Sequence, residues 1–341
     1  MDLLHNSPRR NVEILPEVPA PSIDAARAAL LVAQCPVAAT TPLVDAPVLA
    51  AQAGVGQLHI KDERNRMGLG SFKALGAAYV IACDASDGVA KGCTYVTASA
   101  GNHGMSVAAG AAAFGARAVV YIAETVPEAF AARLRDIGAE VRREGAIYED
   151  SMAAAMAAAE TEGFALLSDS SWQGYYDRPH RLMEGYLVLM DEAIRQMPQP
   201  PTHLFLQAGV GGLAGACAAL ARKAWGNAVQ IIVVEPDAAP ALYGSVAAGR
   251  AVTSTGPVSA MGRLDCKAPS LIALKGLARD ADIFALISEE EGAAGAAACD
   301  TIGLPSTPSG AAGVAGLLAC AQALGVGGDA RVLCILSEGQ G

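Results

Sequence analysis

Three short stretches of this chain hold residue types that could do chemistry together. Lys73 follows Ser71-Phe72 in GLGSFKALGAA, where small and apolar neighbours surround one of only six lysines. A desolvated amine has a lowered pKa and can attack a carbonyl to form a Schiff base. Ser99-Ala100-Gly101-Asn102-His103-Gly104 carries hydroxyl, amide and imidazole groups where a strand should pass into a helix, and the amides at a helix start hold anions. QAGVGGLAG, residues 207–215, puts glycines at 209, 211 and 212 directly after an apolar run. Such a turn aims backbone N–H groups and the positive end of a helix at one point, which suits a phosphate.

Each stretch also has a plainer explanation: a solvated lysine at a helix start, an Asn/Gly capping turn, and close packing of helix on strand. Gly209, Gly211 and Ala214 further fit the dinucleotide fingerprint, and Glu235 ends the next strand where a ribose-binding acid would sit. A nicotinamide oxidoreductase therefore competes on that motif alone. No Walker A sequence is present, so an NTPase would lack its lysine. An amine for an aldehyde, an Asn amide for a phenolic oxygen and a glycine cradle for a phosphate together match the three groups of pyridoxal phosphate.

The elements that must position these residues follow from the apolar pattern. QLHIKDE reads as a strand, SFKALGAAYVIACDA as a helix, CTYVTAS as a strand, NHGMSVAAGAAAFG as a helix and ARAVVYIA as a strand. PEAFAARLRDIG and AEVRREG continue the alternation, a long Ala/Met helix runs from about Glu149 to Glu162, and Pro179–Gln196 reads as another helix. THLFLQAGVGGLAGACAALARKAWGNAVQIIVVEP is a strand–turn–helix–strand unit, and VLCILSEGQG ends the chain as a strand running into a Gly turn. The alternation predicts an α/β protein with mostly parallel sheets covered by helices on both faces.

Composition narrows the function classes. The 341 residues are 52% hydrophobic and 17% charged, too apolar and too sparsely charged for a disordered chain. A net charge of −10, with 24 Lys and Arg against 34 Asp and Glu, disfavours a nucleic-acid partner. The uncharged stretch from Thr301 to Gly328 holds Pro305, Pro308 and repeated glycines, so a soluble helix with a Gly-rich lead-in is expected there and no membrane span. The N-terminus lacks the apolar core of a signal peptide. Eight scattered cysteines without a C-x-x-C pair predict free thiols in the cytoplasm and no metal site.

Taken as a set, SFK, SAGNHG, QAGVGGLAG, the Glu-Pro after the following strand and the terminal LSEGQG resemble the fold-type II pyridoxal-phosphate enzymes, from about Leu43 to the C-terminus. KDERNRMGLGSFKALGAAY (61–79), SDSSWQGYYDRPHRLMEGY (168–186), MGRLDCKAPS (261–270) and SGAAGVAGL (309–317) are similar to diaminopropionate ammonia-lyase in particular, while the SAGNH form matches the threonine and serine dehydratases. The resemblance implies a tryptophan synthase beta-like fold of two three-layer α/β/α lobes, with residues 1–88 and 187–341 as the large cofactor domain and 89–186 as the small one. It implies that Lys73 binds the cofactor aldehyde and Phe72 packs on its ring. Asn102 would meet the 3-hydroxyl oxygen, Gly209, Val210, Gly211, Gly212 and Leu213 the phosphate, and Ser337 the pyridine nitrogen. Ser99, Ala100, Gly101, Asn102 and His103 would clamp the substrate carboxylate.

One departure bears on the reaction. Diaminopropionate ammonia-lyases carry an Asp immediately before Gly-Asn-His-Gly, assigned to proton abstraction from the D-substrate, and this chain has Ala100. Lys73 is then the base in view, and activity on an L-configured α-carbon is expected. Asp169, in SDSSW, retains the second acid of that group. The implied reaction is α,β-elimination from a β-substituted L-amino acid, most simply a 3-hydroxyamino acid, to a 2-oxo acid and ammonia. Alternatives are diaminopropionate as substrate, β-replacement in the manner of cysteine synthase, the nicotinamide enzyme, and a silent ligand-binding protein on the same fold. The resemblance also implies a homodimer.

Overall fold

The computed structural model describes residues 2–6 and 15–340. The first half of the chain runs β1 (Asp2–His5), α1 (Ala25–Val32), β2 (Leu43–Asp45), α2 (Pro47–Ala53), β3 (Gln57–Asp62), α3 (Lys73–Ser86), β4 (Thr94–Ala98), α4 (Asn102–Ala113), β5 (Arg117–Ile122), α5 (Glu128–Asp136), β6 (Glu140–Arg143), α6 (Tyr148–Thr161) and β7 (Ala165–Leu166). The second half runs α7 (Asp177–Gln196), β8 (His203–Gln207), α8 (Gly212–Trp225), β9 (Gln230–Pro236), α9 (Ala241–Ala248), α10 (Leu271–Asp280), β10 (Ile283–Ile287), α11 (Glu289–Thr301), α12 (Ala312–Cys320) and β11 (Arg331–Leu336).

Two sheets result. One has seven strands in the order β1-β10-β9-β8-β11-β3-β2, and the other has four in the order β6-β5-β4-β7. The small sheet is parallel throughout, and the large one is parallel except at its edges, where β1 and β2 run antiparallel to β10 and β3. Sheets of this kind must be covered on both faces, so their strands are continuously apolar. The period of two then sorts the side chains. In β9, Ile231 and Val233 enter one core and Ile232 and Val234 the other. In β11 the split is Leu333 and Ile335 against Val332, Cys334 and Leu336. The first core holds residues of α1, α3, α7, α8 and α10, and the second holds residues of α2, α11 and α12. In β5, Ala118, Val120 and Ile122 face α4, while Val119 and Tyr121 join α6 residues on the far side.

The four-stranded sheet comes from residues 94–166 and the seven-stranded one from the chain on either side of it. The division expected at 186/187 falls inside α7, which is a continuous 20-residue helix packed on α1, α3 and α8. The Thr301–Gly328 stretch contains the short α12 behind a turn-rich lead-in. Among the described residues no helix is long and apolar enough to cross a membrane.

A buried ion network anchors the loop that leads to Lys73. Glu192 of α7 accepts from Lys61 Nζ at 2.7 Å and from Arg66 Nη1 and Nη2 at 2.9 and 2.7 Å. Arg66 Nε donates to Glu63 Oε2 at 2.7 Å, and the side chains of Lys61 and Glu63 are 0% exposed. Charges out of water cost several kcal/mol each unless paired with good geometry, and here every partner is in place.

Candidate active site

Sheet register brings the C-terminal strand to Lys73. Leu336 of β11 lies opposite Asp62 of β3, so the segments beyond the two strands leave the sheet side by side. The Phe72 N–H donates to Ser337 O at 3.1 Å, the Gly339 N–H donates to Gly70 O at 3.0 Å, and Ser71 bridges to Glu338. Helix α3 starts at Lys73, which therefore stands beside Ser337, itself 5% exposed. Phe72 meets Tyr186 edge-on with ring centroids 4.8 Å apart, and the Lys73 amine is 5.4 Å from the Phe72 centroid.

Lys73 Nζ forms an ion pair and a hydrogen bond with Asp169. Burial alone lowers a lysine pKa, as the sequence suggests for this one, but the facing carboxylate outweighs it and the net shift is upward. Burial likewise opposes ionisation of Asp169, and the Lys73 ammonium overrides it, holding the acid well below the usual carboxylate range. The loop carrying Asp169 is tied down on both sides. The Tyr175 hydroxyl donates to Leu166 O at 2.9 Å and accepts from the Ser168 N–H at 3.1 Å. Ser171 Oγ accepts from the Ile272 N–H at 2.9 Å, at the start of α10.

Asn102 opens α4, and its side-chain amide donates to Glu338 Oε2. The turn before it folds on itself, with the Gly101 N–H donating to Ser99 Oγ at 3.2 Å. Ala100, Gly101 and Asn102 face a narrow cleft shared with Met105, Phe130, Arg133 and Arg263. The His103 imidazole points elsewhere. It is 5% exposed and its Nε2–H donates to Leu167 O at 2.8 Å, so burial keeps it neutral by lowering its pKa and it offers the cleft no charge.

The glycine loop closes the third side. Gly211 has φ +98°, and a Cβ there would stand 2.9 Å from Leu242 Cδ1 and 3.0 Å from the Ala273 Cβ. At Gly209 a Cβ would meet Cys266 Sγ at 3.0 Å and the backbone of Arg263 and Leu264 at 3.1 Å. The Val210 carbonyl accepts from the Ser270 N–H at 2.9 Å, and Leu213 is buried. The first-turn amides of α8, which starts at Gly212, lack partners within the helix. A Cβ on Gly212 would lie 3.6 Å from the Tyr186 ring and 3.8 Å from Asp169 O, so the loop and the Lys73–Asp169 pair border one space.

Glu235 does not face that space. It is 0% exposed, and its carboxylate accepts from the Leu242 and Tyr243 N–H groups at 2.7 Å each at the start of α9. It caps a helix, which removes the acid a nicotinamide ribose would need. Four further residues border the site: Glu338, Arg263 and Tyr186 lie within stretches that carry the resemblance but had no role assigned, and Arg133 lies in none of them. Glu338, 5% exposed, accepts from Asn102 and from Thr307 Oγ1. Besides its place in LSEGQG, its visible signal is that it is the sole charge in the last ten residues. The Tyr186 hydroxyl is buried with no hydrogen-bond partner among the described residues.

The family model described as "Pyridoxal-phosphate dependent enzyme" matches residues 36–338. Over 262 residues the chain is 37% identical to the diaminopropionate ammonia-lyase of Salmonella typhimurium, covering 69% of this chain and 65% of that protein. It is 30% identical over 222 residues to the L-threonine ammonia-lyase of Geobacter sulfurreducens, covering 65% of this chain and 52% of that one. The matched region thus spans less than two thirds of the length of these curated relatives. The crystal structure of diaminopropionate ammonia-lyase from Escherichia coli, in complex with an aminoacrylate–PLP azomethine intermediate, superposes with a TM-score of 0.88 at 30% identity, over 99% of this chain and 94% of that one. With the family model matched over most of its length, the chain belongs to the pyridoxal-phosphate dependent enzymes, and its cofactor is pyridoxal 5′-phosphate.

Proposed function

We propose that the chain is a lyase that removes the α-hydrogen and the β-substituent of an L-configured amino acid and yields a 2-oxo acid and ammonia, with 3-hydroxyamino acids as the favoured class. The observation that carries this is the Lys73–Asp169 pair beside a turn whose residue 100 is alanine. The ammonium of Lys73 is held against a carboxylate, and the turn adds no acid.

The residues fit the cofactor. Lys73 offers the amine for its aldehyde, Asn102 an amide for its phenolic oxygen, and Ser337 a hydroxyl for its ring nitrogen. Gly209 to Leu213, at the helix start, would hold the phosphate with their amides, in a loop so closely packed that a Cβ at 209 would meet Cys266, Arg263 and Leu264. The unpartnered Tyr186 hydroxyl supplies one more donor beside Gly212. Bound pyridoxal phosphate acts as the electron sink that lets the α-C–H bond break.

The remaining work falls to the protein. Lys73, with its amine free, would take the α-proton as general base. Asp169 holds the resulting ammonium in place and keeps the amine aimed. The backbone amides of the Ser99–His103 turn bind the substrate carboxylate. The β-hydroxyl would leave as water with the proton that Lys73 took from the α-carbon, which returns the free amine, and the released enamine is hydrolysed to the 2-oxo acid and ammonia. Diaminopropionate, the substrate in the names of the relatives above, is the second reading.

Two coarser proposals go with this one. A homodimer agrees with the exposed apolar side chains of Ile23, Leu30 and Val37, which fall in one stretch of chain. A cytoplasmic setting agrees with eight free cysteines, five of them buried. The reading is tested by assaying 2-oxo acid release from L-serine, L-threonine, 3-hydroxyaspartate, a 3-arylserine and diaminopropionate. Release of both 2-oxo acid and ammonia from a hydroxyamino acid is expected, and a panel without turnover in the cofactor-loaded protein would overturn it.

A further inference from the structure

We propose that the cleft beside the Ser99–His103 turn recognises a second anionic group on the substrate, so that the preferred substrate is a 3-hydroxyamino acid bearing a side-chain carboxylate. This rests on the elimination reading above and adds to it the sign of the substrate's side chain.

The cleft is lined by Ala100, Gly101, Asn102 and Phe130, and by two basic residues, Arg133 and Arg263. Arg263 lies over the turn itself: a Cβ on Gly101 would stand 2.8 Å from its Nη1. Glu338 is the one carboxylate within 4 Å of Arg263 among the described residues, at 3.7 Å from Nε. Its oxygens already accept from Asn102 and Thr307, and Arg263 Nη1 and Nη2 have no acceptor among the described residues. Arg133 stands on α5 with no ion-pair partner among the described residues. Residue 100 is where an acid could supply the missing counter-charge, and it is a methyl group. Two cations thus stand exposed beside the turn proposed to hold the α-carboxylate, and among the described residues Glu338 is the one carboxylate that meets either of them.

A carboxylate on the substrate's β-carbon would supply that balance, since guanidinium groups bind carboxylates by charge-assisted, often bidentate, hydrogen bonds. An ammonium on the β-carbon, as in diaminopropionate, would meet like charge. The arrangement therefore selects among β-substituted amino acids in the order anionic, neutral, cationic.

The test measures kcat/KM of the holoenzyme for L-threo-3-hydroxyaspartate, L-serine and L-diaminopropionate, in the wild type and in Arg133→Gln, Arg263→Gln and Arg263→Lys. The wild type should favour the hydroxyaspartate over serine by about tenfold or more, and each Gln variant should reduce that ratio by about tenfold. Arg263→Lys, which keeps the charge, should retain part of it. Inhibition supplies a readout without turnover: L-aspartate, which has no hydroxyl to lose, should compete more tightly than L-alanine in the wild type and not in the Gln variants. Serine turnover without preference for the hydroxyaspartate, or a preference unchanged in both Gln variants, would overturn this inference and leave elimination standing. Absence of 2-oxo acid from every hydroxyamino acid would overturn the elimination reading instead.

Discussion

The ammonium of Lys73, in the first turn of α3, is paired with the carboxylate of Asp169, in the loop after β7. Each half of the pair comes from a different sheet's connections, so the site depends on how the two layers of the molecule meet. The pair also fixes the sign of the local electrostatics: Asp169 raises the Lys73 pKa against the effect of burial.

Replacing Asp169 by Asn leaves burial as the dominant influence on the amine, so its titration should move to lower pH. Lysine modification in the cofactor-free protein, followed against pH, reads this directly. Turnover should fall about 100-fold, the scale of a lost acid–base partner, with Asp169→Glu restoring part of it. An unchanged titration together with turnover within about threefold of wild type would contradict the role given to Asp169.

Glu192→Ala should be among the most destabilising single changes in the chain. It strips the shared carboxylate from Lys61 and Arg66, whose side chains are 0% and 2% exposed. Breaking a buried pair by removing one partner costs about 3–5 kcal/mol. Urea denaturation should show a loss of that order, and a loss under about 1 kcal/mol would mean the network is not needed to hold the loop before Lys73.

Glu235 gives a pH signature. Burial pushes its carboxyl up to about 8, against the helix amides that favour the ionised form. Its unfolded value is about 4.3, so the folded state binds the proton more tightly. Its contribution is full below about pH 4 and is lost as pH rises through the folded value. Glu235→Gln cannot ionise, so the stability of the wild type should fall relative to the variant between pH 5 and 8.5. Parallel stability curves across that window would show that the helix amides prevail.

Gly211→Ala tests the cradle. The left-handed φ of +98° and the approach of Leu242 and Ala273 leave no room for a methyl group without moving the start of α8. Cofactor affinity, measured by fluorescence titration, should weaken about tenfold, and an effect under about twofold would place the phosphate elsewhere.

Much of this site was legible because its parts are short motifs at strand ends. Lys73, Asn102 and the glycine loop each sit where an apolar run stops, and in an α/β sheet those stops converge. Asp169 was visible only through resemblance, since an acid among serines has no periodicity. Arg133, on α5, was not legible, and Arg263 and Tyr186 lay in stretches visible only through resemblance with no role attached, because the partners of all three are set by packing that no local pattern encodes. Glu235 misled for the same reason, because a strand-end acid suits a ribose and a helix cap equally, and only the position of α9 decides. Reading Lys73 as a simply desolvated amine failed because its counter-charge lies 96 residues away.

The central claim is that Lys73 carries the cofactor. Borohydride reduction of the pyridoxal-phosphate-loaded protein, followed by peptide mass spectrometry, should place a phosphopyridoxyl group on Lys73 and on no other lysine, and Lys73→Ala should abolish both the adduct and 2-oxo acid release. An unmodified Lys73, or a label found at another of the six lysines, would contradict the account.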